Sequence, residues 1–120
     1  MADILVVDDD EVIRDTLCEL LEQEHSCQTA DTAESALAKL ESQSFDVVLT
    51  DISMPGLSGM ELLSRVLELY PGTPVIMISG ISDQEQAQSL LRQGAFDYLL
   101  KPFRLEVVED SVKRALGGRQ

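Results

Sequence analysis

FDVVLTDISMPGLSG, Phe45 to Gly59, decides how the rest of the chain is read. Phe45, Val47, Val48, Leu49 and Thr50 are apolar or β-branched, with too few polar alternations for a strand that wets one face. A near-continuous apolar run of this length fits a strand covered on both sides, as in a parallel sheet. The run stops at a single carboxylate, Asp51, and Pro55, Gly56 and Gly59 then mark a loop. Asp51 is therefore expected at the C-terminal end of a central strand, the edge where open α/β sheets bind ligands. Taken alone, it can equally be an aspartate that ends a strand and caps a turn.

Outward from this stretch, strands and helices alternate. Ile4 to Val7 is a short apolar strand running into Asp8-Asp9-Asp10. Val12, Ile13, Leu17, Leu20 and Leu21 recur at helical spacing over 11–24, and the acids ahead of them suit a helix N-terminus. SCQTA, Ser26 to Ala30, is a weak strand. Thr32 is a good N-cap for a helix carrying Ala33, Ala36, Leu37 and Leu40. After the central strand, Ser58 or Gly59 opens a helix with Leu62, Leu63, Val66, Leu67 and Tyr70 as its stripe, closed by Pro71-Gly72. PVIMIS (74–79) is a strand, 83–93 a helix stopped by Gly94, DYLL (97–100) a strand and 104–116 a last helix. Strict alternation predicts an α/β single domain: a doubly wound parallel sheet with helices on both faces. Residues 1–116 form the domain in this reading, and 117–120 a tail or the start of a linker.

Composition narrows the function. The 120 residues suffice for one domain of ordinary size, and 4% aromatic content makes the core aliphatic. A net charge of −13 argues against direct nucleic-acid binding or an anionic membrane as partner. No stretch is long enough to span a bilayer and no signal segment opens the chain, so a cytoplasmic location is expected. Cys18, Cys27 and His25 make neither a disulfide framework nor a zinc site. The cysteines read as small packing residues, and His25 as a turn residue without a partner.

The strand ends carry the chemistry. Asp8, Asp9 and Asp10 follow the first strand, Asp51 ends the third, Ser79-Gly80 the fourth and Lys101-Pro102 the fifth. In a parallel sheet all of them face one rim. Crowded carboxylates repel unless a cation compensates, and hard oxygen donors suit magnesium. A lysine and a small hydroxyl are the further partners a phosphoryl group needs. The rim reads as magnesium-assisted phosphoryl transfer with Asp51 as a carboxylate nucleophile.

ILVVDDD, VVLTDISMPGLSG, PVIMISG and GAFDYLLKPF, in this order and each at a strand end, resemble the receiver domain of bacterial two-component response regulators. The resemblance covers Asp3 to Leu116. It implies a flavodoxin-like (βα)5 fold with strand order 2-1-3-4-5. It also implies roles. Asp51 would be the phosphoacceptor for a sensor histidine kinase or phosphotransfer protein. Asp9 would bind Mg2+ directly, Asp8 through water, and Ser53 through its backbone carbonyl, with Asp51 completing the shell. Lys101 would pair with a phosphoryl oxygen across a cis Lys101–Pro102 bond. Ser79 would be the switch hydroxyl and Tyr98 the switch aromatic. Gly80 stands where the family often has alanine, which leaves Asp51 accessible. The expected activity is self-phosphorylation and autodephosphorylation in a signalling switch, not classical turnover. The readout face would be the fourth helix, fifth strand and fifth helix, including Arg104 and Lys113, towards an output domain or downstream protein, with a homodimer on phosphorylation. Arg14 is placed for kinase docking.

A different class also fits part of the chain. Asp8-x-Asp10-x-Val12 after an apolar strand resembles the opening of haloacid dehalogenase-type phosphatases, with Asp8 as nucleophile and Asp10 as acid/base. That reading needs an acidic metal motif at a strand end after the lysine, but Glu106, Glu109 and Asp110 fall on a predicted helix. It also leaves Asp51 without a role.

Overall fold

In the computed structural model, which describes residues 2–52, 54, 56–80 and 84–117, each apolar run is a strand and each apolar stripe a helix. The order is β1 (Asp3–Val7), α1 (Glu11–Leu21), β2 (Ser26–Ala30), α2 (Ala33–Ser42), β3 (Val47–Asp51), α3 (Gly59–Leu69), β4 (Val75–Ser79), α4 (Gln84–Gln93), β5 (Asp97–Leu100) and α5 (Leu105–Gly117). The five strands are parallel in the order β2-β1-β3-β4-β5, the doubly wound, flavodoxin-like arrangement expected.

The boundaries follow local chemistry. Asp10 caps α1, its Oδ1 accepting from the Val12 and Ile13 amides. The helix stops at Leu21, three residues short of the expected end. Glu22-Gln23-Glu24 offers no apolar side chain to bury, and the Glu24 and His25 amides turn back onto the Leu21 carbonyl. Thr32 caps α2 through the Ser35 amide at 3.0 Å. Ser58 and Glu61 form a capping box on α3, an arrangement worth about 1 kcal/mol. Gly94, at φ 116°, ends α4. The first position expected in α4, Asp83, lies outside the described residues, as do the last three of the proposed tail.

Strand alternation sorts the core onto two faces. Leu5, Val7, Val48, Val75 and Met77 pack with α2, α3 and Leu90 of α4. Ile4, Val6, Val47, Leu49, Ile76, Ile78 and Leu99 pack with Leu17 and Leu21 of α1 and Val108, Val112 and Ala115 of α5. The edge opposite the carboxylate rim is pinned by polar contacts. There the Asp97 carboxylate accepts from Ser111 Oγ at 2.6 Å and from the Arg114 guanidinium at 2.9 Å. Arg114 also reaches Asp110 at 2.9 Å. His25 is not without a partner as expected from sequence: its Nδ1 accepts from the Ala2 amide at 3.2 Å, because β2 runs beside the start of β1. Among the described residues no helix is long and apolar enough to cross a membrane.

Candidate functional site

Period-two alternation, carried one residue past β1 and β5 and to the last residue of β3, places three charges on the same side. Asp8 follows Val6, Asp51 follows Leu49 and Lys101 follows Leu99, all on the α1/α5 face. There Lys101 Nζ lies 3.0 Å from Asp8 Oδ2 and 3.4 Å from Asp51 Oδ2. Asp9 joins them: carboxylate oxygens of Asp8, Asp9 and Asp51 lie within 4.8 Å of one another. Asp8 is 1% exposed and Asp51 7%, whereas Asp9 faces solvent.

The surroundings fix the buried members. Asp8 Oδ1 accepts from the Asp10 amide at 2.9 Å, and its backbone carbonyl accepts from Arg14 Nη1 at 2.8 Å. Arg14, assigned from sequence to kinase docking, thus braces the turn that carries the acids. The Asp51 carbonyl accepts from Thr50 Oγ1 at 3.0 Å, and Gly59 at the start of α3 packs against the same carbonyl. Burial raises the Asp51 pKa above the usual aspartate range, and the nearby Asp8 charge raises it further, against the lowering pull of Lys101. Burial works against the Lys101 ammonium, but the two carboxylates outweigh it and its pKa is raised.

The donor set suits a hard divalent cation. Asp8, Asp9 and Asp51 offer carboxylate oxygens only, one side of the group is open to water, and one lysine cannot neutralise three acids. Ser53, expected to add a carbonyl, lies outside the described residues. Removing the lysine tests the balance. Lys101→Met is expected to destabilise the protein in EDTA by about 2 kcal/mol. That is below the roughly 3–5 kcal/mol of a fully buried pair because Lys101 keeps part of its side chain in water. Millimolar magnesium is expected to recover a larger share of stability in this variant than in wild type, read by urea denaturation with and without the metal.

Ser79 and Tyr98 follow the strand positions of the other face. Ser79 is buried at the end of β4, and the Lys101 amide donates to its carbonyl at 2.7 Å. Tyr98 pairs in register with Met77 and is half-buried against the α2–α4 side of the core. Its hydroxyl donates to Gln86 Oε1 of α4 at 3.5 Å. The Lys101–Pro102 bond is cis. Arg104 is exposed, and Lys113 lines a groove of about 260 Å³ between α5 and the end of α1, away from α4. Glu106, Glu109 and Asp110 lie on α5 and line the same groove, so no acidic motif follows Lys101 at a strand end. Asp10 spends an oxygen on capping α1. The first of these removes the metal motif that the phosphatase reading required.

Sequence reasoning missed Gly59, Gln86 and the bracing role of Arg14. Gly59 was read only as a loop residue or helix start, and its close approach to the Asp51 carbonyl shows only in the fold. A glutamine on α4 carries no signal until the fold brings it beside Tyr98.

The sequence matches the family model described as response regulator receiver domain over residues 4–113. It is 41% identical over 118 residues to the DNA-binding transcriptional regulator NtrC of Salmonella typhimurium, covering 98% of this chain and 25% of that protein. It is 39% identical over 118 residues to the response regulator protein FleR of Pseudomonas aeruginosa, covering 97% of this chain and 25% of that one. The chain thus spans about a quarter of the length of the curated relatives it matches. The crystal structure of a receiver domain protein from Clostridium thermocellum superposes with TM-score 0.93 at 33% identity, over 99% of this chain and 97% of that one.

Proposed function

The chain belongs to the response regulator receiver domain family, and from that premise we propose that Asp51 accepts a phosphoryl group from a histidine kinase and that the domain switches an output through Ser79 and Tyr98. The observation that carries this reading is Lys101 Nζ set between Asp8 and Asp51, at 3.0 and 3.4 Å. That arrangement sets Asp51 buried and beside a fixed ammonium.

An Asp51 Oδ attacks phosphorus in line, the P–N bond of the donor phosphoimidazole breaks, and the imidazole, already protonated on its other ring nitrogen, leaves neutral. Lys101 offers its N–H groups to the oxygens of the transferring group. Asp8, Asp9, Asp51 and the carbonyl of Ser53 would hold magnesium, which when bound adds positive charge at the phosphoryl oxygens. The product is an acyl phosphate on Asp51, open to hydrolysis. The new oxygens draw the Ser79 hydroxyl and Lys101 towards Asp51, which shifts a two-state equilibrium. Output domains of the kind that fill the rest of the longer relatives would read the α4–β5–α5 face, and a homodimer through that face is one form of readout.

Intact mass after incubation with acetyl phosphate and magnesium tests the reading. One phosphoryl group is expected on wild type, dependent on magnesium. Should the adduct hydrolyse too fast to weigh, beryllofluoride with magnesium is expected to shift the Tyr98 ring resonances. A folded protein that shows neither result sinks the reading.

A further inference from the structure

Tyr98 sits between two calls on its position. In the sheet it is the register partner of Met77, two residues before Ser79 on the same face of β4. Across the interface its hydroxyl reaches α4, where Gln86 Oε1 accepts it at 3.5 Å. Both Gln86 and Tyr98 are half-buried, so the contact is only partly open to competing water.

We propose that Gln86 is a positioning residue that holds Tyr98 towards α4 in the resting domain and so sets how readily the switch turns. This rests on the reading of Ser79 and Tyr98 as the switch pair. When Ser79 turns towards a phosphoryl group on Asp51, Tyr98 can follow towards β4 only by leaving Gln86. The contact therefore belongs to one of the two states and biases their ratio. Neither Asp51 nor Lys101 pairs with Gln86, so the bias reaches the site only through the position of Tyr98.

The test uses Gln86→Leu, which keeps side-chain bulk and helix propensity but removes the acceptor. Gln86→Glu keeps an acceptor and serves as the rescue. Gln86→Met replaces the leucine variant if that fails to fold. The readout is the Tyr98 ring resonance in the absence of phosphate and magnesium, assigned against Tyr98→Phe. The chain has two tyrosines, so Tyr70 provides an internal reference. Gln86→Leu is expected to move the Tyr98 signal part-way to its beryllofluoride position. The net worth of one hydrogen bond corresponds to an increase in turned-in population of about 2- to 10-fold. Acceptance from acetyl phosphate is expected to quicken by the same factor, and Gln86→Glu is expected to match wild type in both. In a Tyr98→Phe background the Gln86 substitution is expected to change acceptance little, since the hydroxyl that reaches Gln86 Oε1 is gone.

A folded Gln86→Leu protein whose Tyr98 signal does not move overturns the proposal. So does a result in which Leu and Glu move it alike, which would report damage to α4. If wild type shows no beryllofluoride response at all, the phosphorylation reading fails and the latch fails with it. A normal wild-type response beside an inert Gln86→Leu overturns the latch alone.

Discussion

Asp51→Asn is expected to abolish phosphoryl acceptance completely and, in the same molecule, to raise stability. The first effect follows from chemistry, since an amide is not a nucleophile for phosphorus under these conditions. The second follows from electrostatics. Burial and the Asp8 charge raise the Asp51 pKa in the folded protein. A raised folded pKa means that folding favours the protonated carboxyl. The associated stability is present at low pH and is lost as pH rises from the usual aspartate range through the folded value. Once pH passes the folded value, and without metal, ionised Asp51 therefore works against the fold. Asparagine removes that charge and leaves Lys101 to Asp8 at 3.0 Å. A gain of about 1–2 kcal/mol is expected, the usual scale for relieving a functional compromise. Urea denaturation in EDTA at pH 7 measures it, and the wild-type curve is expected to approach the variant's as pH falls towards 4. A variant less stable than wild type at pH 7 would mean that Lys101 more than compensates both acids.

Gly59→Ala is expected to cost at least about 3 kcal/mol, the scale of the most damaging single substitutions. A Cβ at Gly59 would stand 1.9 Å from the Asp51 carbonyl oxygen and 2.8 Å from the Ile52 Cα. Both are backbone atoms, so no side chain can swing aside. The Gly59 amide also donates to the Ile52 carbonyl at 2.8 Å, which holds the two backbones together at that point. Relief has to come from moving α3 or the end of β3, and the latter carries Asp51. Loss of phosphoryl acceptance is expected alongside loss of stability. Gly72→Ala is the control, because nothing lies within 4 Å of a Cβ there, and its effect is expected within about 0.5 kcal/mol. Equal chemical-denaturation midpoints for the two variants would show that α3 can withdraw freely.

The fold was legible because its elements announce themselves. The strands β1, β3 and β4 are short, aliphatic and bounded by turn residues, and the helical stripes of α1, α3 and α5 are long enough to show their period. The acids and the lysine were legible as a group because a parallel sheet sends every strand end to one rim. What the sequence hid depends on closeness in space. Arg14 was read as a docking residue because its spacing says only that it follows the acids; its hydrogen bond to the Asp8 carbonyl needs the turn of the chain at Asp10. His25 gained a partner because β2 lies beside β1. The end of α1 was overestimated because acidic residues are good helix formers, and only the lack of something to bury stopped the helix early.

The division of the sheet into two faces separates two kinds of mutational sensitivity. Asp8, Asp51 and Lys101 stand on the α1/α5 side, whereas Ser79 and Tyr98 follow the strand positions that face α4. Between them the strands form a wall of mostly aliphatic side chains. In the proposed switch, news of a modified aspartate travels along the rim, where the Lys101 amide donates to the Ser79 carbonyl at 2.7 Å. Trimming Leu49 or Ile76 in the interior would lower the melting point and leave the message intact. In the proposed switch, altering Tyr98 would lower the melting point less and cut the message. A deep mutational scan scored separately for abundance and for signalling would accordingly split this small domain into two nearly disjoint maps.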